Sequence, residues 1–263
     1  MVNLWGKRCC LTLAALLGCA GLSGCYYWRA ATAPMATQLY CRALEYQLTP
    51  AHQCPRAQDA MILLPGIGDS IERFYQEGLI TQLRDADLPL DAVVADAHFG
   101  YYRDRTLLAR LQLDVIEPAK TAGYRQLHFA GVSLGGFGSL LYWRDFATWH
   151  PASLTVLTPY LGEPEYYQYK LPGHEGEPAQ QPEADKNLWP WLDQQAQAQR
   201  RHWYLGLARA GKFYPPGQLL ANMLPASNVV TVAGEHDWPA WRLMWPPLLQ
   251  ALKRDFYPQE PSF

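Results

Sequence analysis

The stretch Leu127-His128-Phe129-Ala130-Gly131-Val132-Ser133-Leu134-Gly135-Gly136 runs from a short apolar segment directly into Gly-x-Ser-x-Gly. A helical pattern over 134–146 follows without a break. Apolar strand, tight turn and helix in that order place the serine on the turn, and the flanking glycines leave room for a strained backbone. A hydroxyl held this way projects beyond the end of a strand, where it can attack a carbonyl carbon. Gly-x-Ser-x-Gly recurs by chance in many chains. Its weight here comes from its place between strand and helix, and from partners elsewhere in the sequence.

Working outward, short apolar runs alternate with helical patterns. Strands are predicted over 59–64, 90–95, 126–130, 153–158, 202–207 and 228–233, with less regular strand signals near 40–48. Helices are predicted over 69–87, with Asp69 or Ser70 as cap, and over 105–122, 134–146, 216–224 and 239–256. This alternation implies one domain, over 58–263, with a mostly parallel sheet covered by helices on both faces. The pattern lapses at Glu163. Residues 163–187 are rich in Pro, Glu, Gln, Gly and Tyr, and the lid-like excursion extends over 163–200. Tyr160, Tyr166, Tyr167, Tyr169, Trp189 and Trp191 lie in or beside it. They suit either an apolar substrate pocket or the docking of the excursion onto the core.

In an open parallel sheet, reactive groups gather at the carboxyl ends of the strands. Gly66-Ile67-Gly68, Asp96 with His98, Ser133 and His236 all fall there. A serine hydroxyl needs a base to take its proton. His236 follows the last strand, where the base of a Ser…acid…His order belongs, and it is the expected general base. His98 suits substrate contact better. His128, inside the strand before the turn, fits a helix-packed face. A tetrahedral oxyanion needs donors. The backbone N–H groups of Leu134, at a helix start, and of Ile67, in the loop after the first strong strand, are the expected pair.

These residues resemble the α/β-hydrolase superfamily over about 58–256, and most closely its bacterial esterase-like serine hydrolases. In one esterase branch, Gly-x-His-Asp-Trp is followed by a further tryptophan; here the stretch reads Gly234-Glu235-His236-Asp237-Trp238-Pro239-Ala240-Trp241. The resemblance implies Ser133 as nucleophile, His236 as base, and Ile67 and Leu134 as oxyanion donors. One element of the family pattern is missing. Relatives carry an acid in Tyr-Leu-Gly-Tyr-Gly-x-x-Asp-x-Phe, whereas Tyr204-Leu205-Gly206-Leu207-Ala208-Arg209-Ala210-Gly211-Lys212-Phe213 has no carboxylate. In a serine protease, disabling the acid costs about 10⁴-fold. Three readings follow: Glu163 or Glu165 reaches across, a Ser-His dyad works alone, or turnover is lost and the scaffold binds a ligand or partner. Asp237, adjacent to the base in the chain, is a poor orienter.

The first residues read as an export signal. Lys7 and Arg8 precede an apolar stretch over 9–20, shorter than the ~20 residues that span a bilayer. Leu22-Ser23-Gly24-Cys25 then resembles the lipobox of bacterial lipoproteins. That resemblance implies a signal peptide over 1–24, lipid on Cys25, and a tether and lead-in over 25–57. Tyr26, in place of aspartate, implies the outer membrane facing the periplasm. With the signal removed, Cys41 and Cys54 remain. In an oxidising compartment they are expected to close a disulfide worth about 3 kcal/mol, two buried thiols being the alternative. Neither sits at zinc spacing, and no metal, cofactor or dinucleotide fingerprint is expected. A formal charge of -2 gives no sign of nucleic-acid binding. The function expected is cleavage of a small-molecule carboxylic ester by a membrane-tethered serine hydrolase. The alternative is a non-catalytic envelope lipoprotein on the same scaffold.

Overall fold

The computed structural model describes residues 28–42, 56–146, 150–174, 186–195 and 197–258. Within these residues the chain forms a seven-stranded sheet. Its strands are β1 (Thr37–Tyr40), β2 (Asp59–Leu64), β3 (Leu90–Ala95), β4 (Leu127–Val132), β5 (Ser153–Leu157), β6 (Trp203–Ala208) and β7 (Val229–Val232). Their spatial order is β1-β3-β2-β4-β5-β6-β7. β1 pairs antiparallel with β3, Thr37 opposite Ala95, and every other pairing is parallel. Parallel neighbours need crossovers, and those are helical.

The helices are α1 (Arg73–Gln76), α2 (Leu79–Asp85), α3 (Phe99–Arg103), α4 (Leu107–Leu111), α5 (Glu117–Thr121), α6 (Leu134–Asp145), α7 (Trp189–Gln194), α8 (Tyr214–Ala221) and α9 (Trp238–Phe256). Alternation along the strands divides the core in two. Ile62, Leu64 and Phe129 pack with α4, α6 and α7 on one face. Met61, Leu63, Ala130 and Val132 pack with α2 and α9 on the other. β4, buried on both faces, is apolar for that reason except at His128, whose ring is hydrogen-bonded.

Two predicted helices prove to be interrupted. The segment expected to be continuous over 69–87 breaks into α1 and α2 at Gly78, whose φ of 83° lies in the left-handed region where side chains are disfavoured. Neither Asp69 nor Ser70 caps it. The helix expected over 105–122 widens by one residue per turn over Gln112–Ile116, between α4 and α5. This widening comes just before Pro118, which has no N–H to return to the preceding turn. Of the excursion, residues 175–185 and 196 lie outside the described residues. Its remainder is docked firmly. Trp189 is fully buried and donates its indole N–H to the Leu161 carbonyl at 2.9 Å, and Trp191 packs against Trp203. The two tryptophans therefore anchor the excursion, and neither lines the cavity along α6 described below. Cys41 is buried at the end of β1. Its expected partner Cys54, the lipidation candidate Cys25 and the signal segment 1–24 lie outside the described residues.

Candidate active site

Ser133 sits between β4 and α6 with φ 53° and ψ −115°, a conformation worth about 1–3 kcal/mol of strain for a residue with a side chain. The surroundings impose it. The Ser133 N–H donates to the Leu157 carbonyl at 3.0 Å, and its own carbonyl accepts from Tyr160 at 3.0 Å and Phe137 at 3.2 Å. Gly135 lies so close to β2 that a methyl group there would collide with the Leu64 and Pro65 carbonyls. Small residues thus let α6 start directly against the sheet and leave the serine on a sharp corner.

The loop after β7 carries His236 to the same corner. His236 Nε2 lies 2.8 Å from Ser133 Oγ, although 103 residues separate them in the chain. The imidazole is boxed by two rings that meet it edge-on, Phe213 at 4.6 Å and Trp241 at 5.3 Å between centroids. Trp241 is itself fixed by a buried 2.7 Å hydrogen bond from its indole N–H to Thr158 Oγ1. Desolvation in this box, and then the Lys212 ammonium, push the imidazole pKa down to about 4, with Asp237 pulling weakly the other way. The ring is therefore neutral, and able to accept a proton, through the whole neutral range.

The other ring nitrogen of His236, Nδ1, is buried and has no hydrogen-bond partner among the described residues. Glu163 does not reach it; that carboxylate accepts from the Tyr160 hydroxyl at 2.9 Å. Glu165 is exposed on the far side of the same turn and contributes to a cavity wall. Both were candidates for the acid, and neither fills that place, because the β5 loop spends Glu163 on Tyr160. Asp237 is occupied as the cap of α9, accepting from the Ala240 N–H at 3.1 Å.

Leu134 occupies the first position of α6, so its N–H points out of the helix start beside Ser133. Ile67 lies in the loop that leaves β2. That loop runs against the serine: a Cβ at Gly66 would stand 3.5 Å from Ser133 Cβ. A contact absent from the sequence reading holds the loop there. Asp69, expected to cap a helix, instead accepts from the Trp238 indole N–H at 3.2 Å. The loop bearing Ile67 and the segment bearing His236 are thereby tied to each other. Burial raises the Asp69 carboxyl above its ordinary range. The only sequence signal for this tie was Trp238 itself, two residues after the histidine.

His98 does not face the reactive corner. It is buried as the cap of α3, with Nδ1 accepting from the Gly100 N–H at 3.1 Å. His128 is also structural: Nδ1 meets Ser153 Oγ at 2.8 Å, and Nε2 meets the Tyr257 hydroxyl at 3.0 Å. Tyr257 in turn donates to Asp59, so the network pins the end of α9 to the foot of the sheet.

Beside Ser133 a cavity of about 840 Å³ opens along α6. Leu134, Phe137, Tyr101, Tyr102, Tyr160 and Tyr166 form much of its wall. Its size and aromatic lining suit a small organic group, and Leu134, the residue after Ser133, is part of its wall.

No family model and no curated protein sequence matches the chain. Solved structures do. Est1E from Butyrivibrio proteoclasticus superposes with a TM-score of 0.54 at 16% identity, covering 84% of this chain and 93% of that one. S-formylglutathione hydrolase (FrmB) from Staphylococcus aureus gives 0.53 at 13% identity, covering 74% and 81%. A lipase/esterase from Lactobacillus plantarum gives 0.52 at 18% identity, covering 86% and 95%. Together with the strand order, these likenesses show that the chain has the α/β-hydrolase fold.

Proposed function

We propose that the protein is a serine hydrolase that cleaves a carboxylic ester through an acyl-enzyme on Ser133. The observation that carries this reading is the 2.8 Å approach of His236 Nε2 to Ser133 Oγ, on a strained turn at the carboxyl end of a parallel sheet. Nε2 of the neutral ring accepts the hydroxyl proton as Oγ attacks the carbonyl carbon. The N–H groups of Leu134 and Ile67 receive the charge on the carbonyl oxygen. The imidazolium returns the proton to the departing alcohol. A water molecule, deprotonated by the same ring, then releases the acid and restores the serine.

No side chain among the described residues orients Nδ1, and within those residues the working unit is a Ser-His dyad. The aromatic box of Phe213 and Trp241 holds the ring in place of a carboxylate. It supplies orientation without charge, so the imidazolium is less stabilised than in a triad. The tyrosine-rich cavity favours an acyl or alcohol group with an apolar or aryl body. We extend this reading to the N-terminal segment: lipid on Cys25 tethers the protein to the outer membrane, and a Cys41–Cys54 bridge closes the lead-in.

A fluorophosphonate probe tests the hydrolase directly. Labelling of the folded protein that disappears in Ser133→Ala, together with hydrolysis of p-nitrophenyl butyrate lost in the same variant, supports it. Folded protein that takes no label and hydrolyses none of a panel of p-nitrophenyl esters supports the alternative, a ligand-binding envelope protein.

A further inference from the structure

The course of the chain just after Cys25 determines which end of the molecule a tether would hold. β1 runs antiparallel to β3 with Thr37 opposite Ala95, so the chain enters the sheet at the edge where the parallel strands end. That edge also carries Ser133. The preceding residues are strapped across it. Arg29 donates through both terminal nitrogens to the buried Asp96 carboxylate, at 3.1 and 2.5 Å. Thr32 Oγ1 meets the Tyr101 hydroxyl at 3.0 Å, and the Met35 N–H donates to Asp114 at 2.8 Å. The strap lies so close to α3 that a methyl at Gly100 would run into the Arg29 carbonyl. Tyr101 and Arg103, on the same helix, line the cavity beside Ser133.

Only Tyr26, Tyr27 and Trp28 separate Cys25 from the clamped Arg29. Even fully extended, that stretch spans about 14 Å. Trp28 is 79% exposed and Ile67, on the same edge, is 41% exposed. A tryptophan between a lipid anchor and a folded edge suits the interfacial layer of a bilayer.

We propose that the Ser133 edge of the protein faces the membrane, and that its substrate is an amphiphilic ester lodged in that leaflet. This deepens the hydrolase reading and rests on lipidation of Cys25. A three-residue tether clamped against α3, whose Tyr101 and Arg103 line the cavity, holds this edge within about 14 Å of the lipid anchor. The opposite edge of the sheet stands further out by about the length of a six-residue strand, roughly 20 Å.

The test uses the full lipidated chain in phosphatidylethanolamine/phosphatidylglycerol vesicles that contain a headgroup-labelled acceptor lipid. A donor dye is placed at Glu165→Cys, on the cavity wall, or at Arg125→Cys, at the opposite edge. Signal from the chain without an added cysteine is subtracted. Energy transfer is expected to be at least twofold greater from position 165. Insertion of a Gly-Ser linker of about twenty residues between Tyr27 and Trp28, with a mean span of roughly 25 Å, is expected to erase most of that difference. Lipidated protein is also expected to hydrolyse a p-nitrophenyl dodecanoate carried in its own vesicles faster than the same ester in separate vesicles.

Equal transfer from the two positions, greater transfer from 125, or a difference that survives the linker overturns the orientation. Equal rates on the two vesicle populations overturn the substrate class. Mass spectrometry of the N-terminal peptide reports lipid at Cys25 independently; its absence removes the tether and this proposal with it. Hydrolysis of soluble p-nitrophenyl butyrate by the same samples reports on the hydrolase reading alone.

Discussion

His236 reaches Ser133 Oγ at 2.8 Å with one ring nitrogen, while its other nitrogen is buried without a partner among the described residues. A base so placed is governed chiefly by burial and then by the Lys212 charge, against a smaller pull from Asp237. Its pKa of about 4 means that the neutral ring is present above that pH and lost below it. The acid limb of kcat/KM for a p-nitrophenyl ester is therefore expected near pH 4. Lys212→Gln removes a charge that disfavours the imidazolium, so it is expected to move the limb upward. A limb at pH 6–7 in the unaltered protein, or none moved by Lys212→Gln, contradicts this description.

Glu163→Gln is expected to leave kcat/KM within about twofold, because Glu163 holds Tyr160 and not the histidine. A fall of 10³-fold or more would mean that this carboxylate acts on the imidazole after all.

The tie between Asp69 and Trp238 joins the loop bearing Ile67 to the segment bearing His236. Asp69→Ala frees that loop, and small misplacements of catalytic groups are costly. A fall of about 10-fold in kcat is expected, with KM changed less than threefold and Asp69→Asn recovering most of it. Unaltered kcat in Asp69→Ala would show that the loop is held by other contacts.

Gly135→Ala drives a methyl into the Leu64 and Pro65 carbonyls. Overpacking of this kind costs about 1–3 kcal/mol, so Tm is expected to fall by roughly 5–10 °C, with probe labelling reduced in the protein that remains folded. An unchanged Tm would place α6 further from β2 than described.

His128 is buried, and its pKa is pushed down to about 4, chiefly by burial and secondarily by His202. In the unfolded chain the ring takes up a proton near pH 6.5. Between those values the unfolded state binds more protons, so stability is lost as pH falls from 6.5 toward 4, by up to about 3 kcal/mol. His236 adds to the same trend. Urea unfolding across that range should show the loss, and a His128→Phe/Tyr257→Phe pair should flatten it. A midpoint independent of pH would contradict the buried neutral ring.

Much of this could be read along the chain. The strand before Ser133 is apolar at every position but His128 because helices cover both its faces, and His236 follows the last strand, so parallel strand order alone brings the two to one edge. Local patterns fail where a distant partner decides. Nothing near Asp69 announces Trp238 as its partner, and the apolar spacing over 69–87 continues past Gly78 although the backbone there turns left-handed. Trp189 and Trp191 have the composition of a pocket wall, but the Leu161 carbonyl and Trp203 claim them for docking. His98 sits at a strand end like the reactive groups, and the need to cap α3 takes its nitrogen. The missing acid was visible as an absence in 204–213, while the aromatic box that stands around His236 was visible only as scattered rings.

The most direct measurement is the mass of the acyl-enzyme. The protein is quenched in acid during turnover of p-nitrophenyl butyrate and digested, and the fragment containing Ser133 is sequenced by mass spectrometry. A butyryl group on Ser133 Oγ is expected to form in the unaltered protein and to fail to accumulate in His236→Ala. Turnover that proceeds with Ser133 unmodified, and that persists in Ser133→Ala, would contradict it.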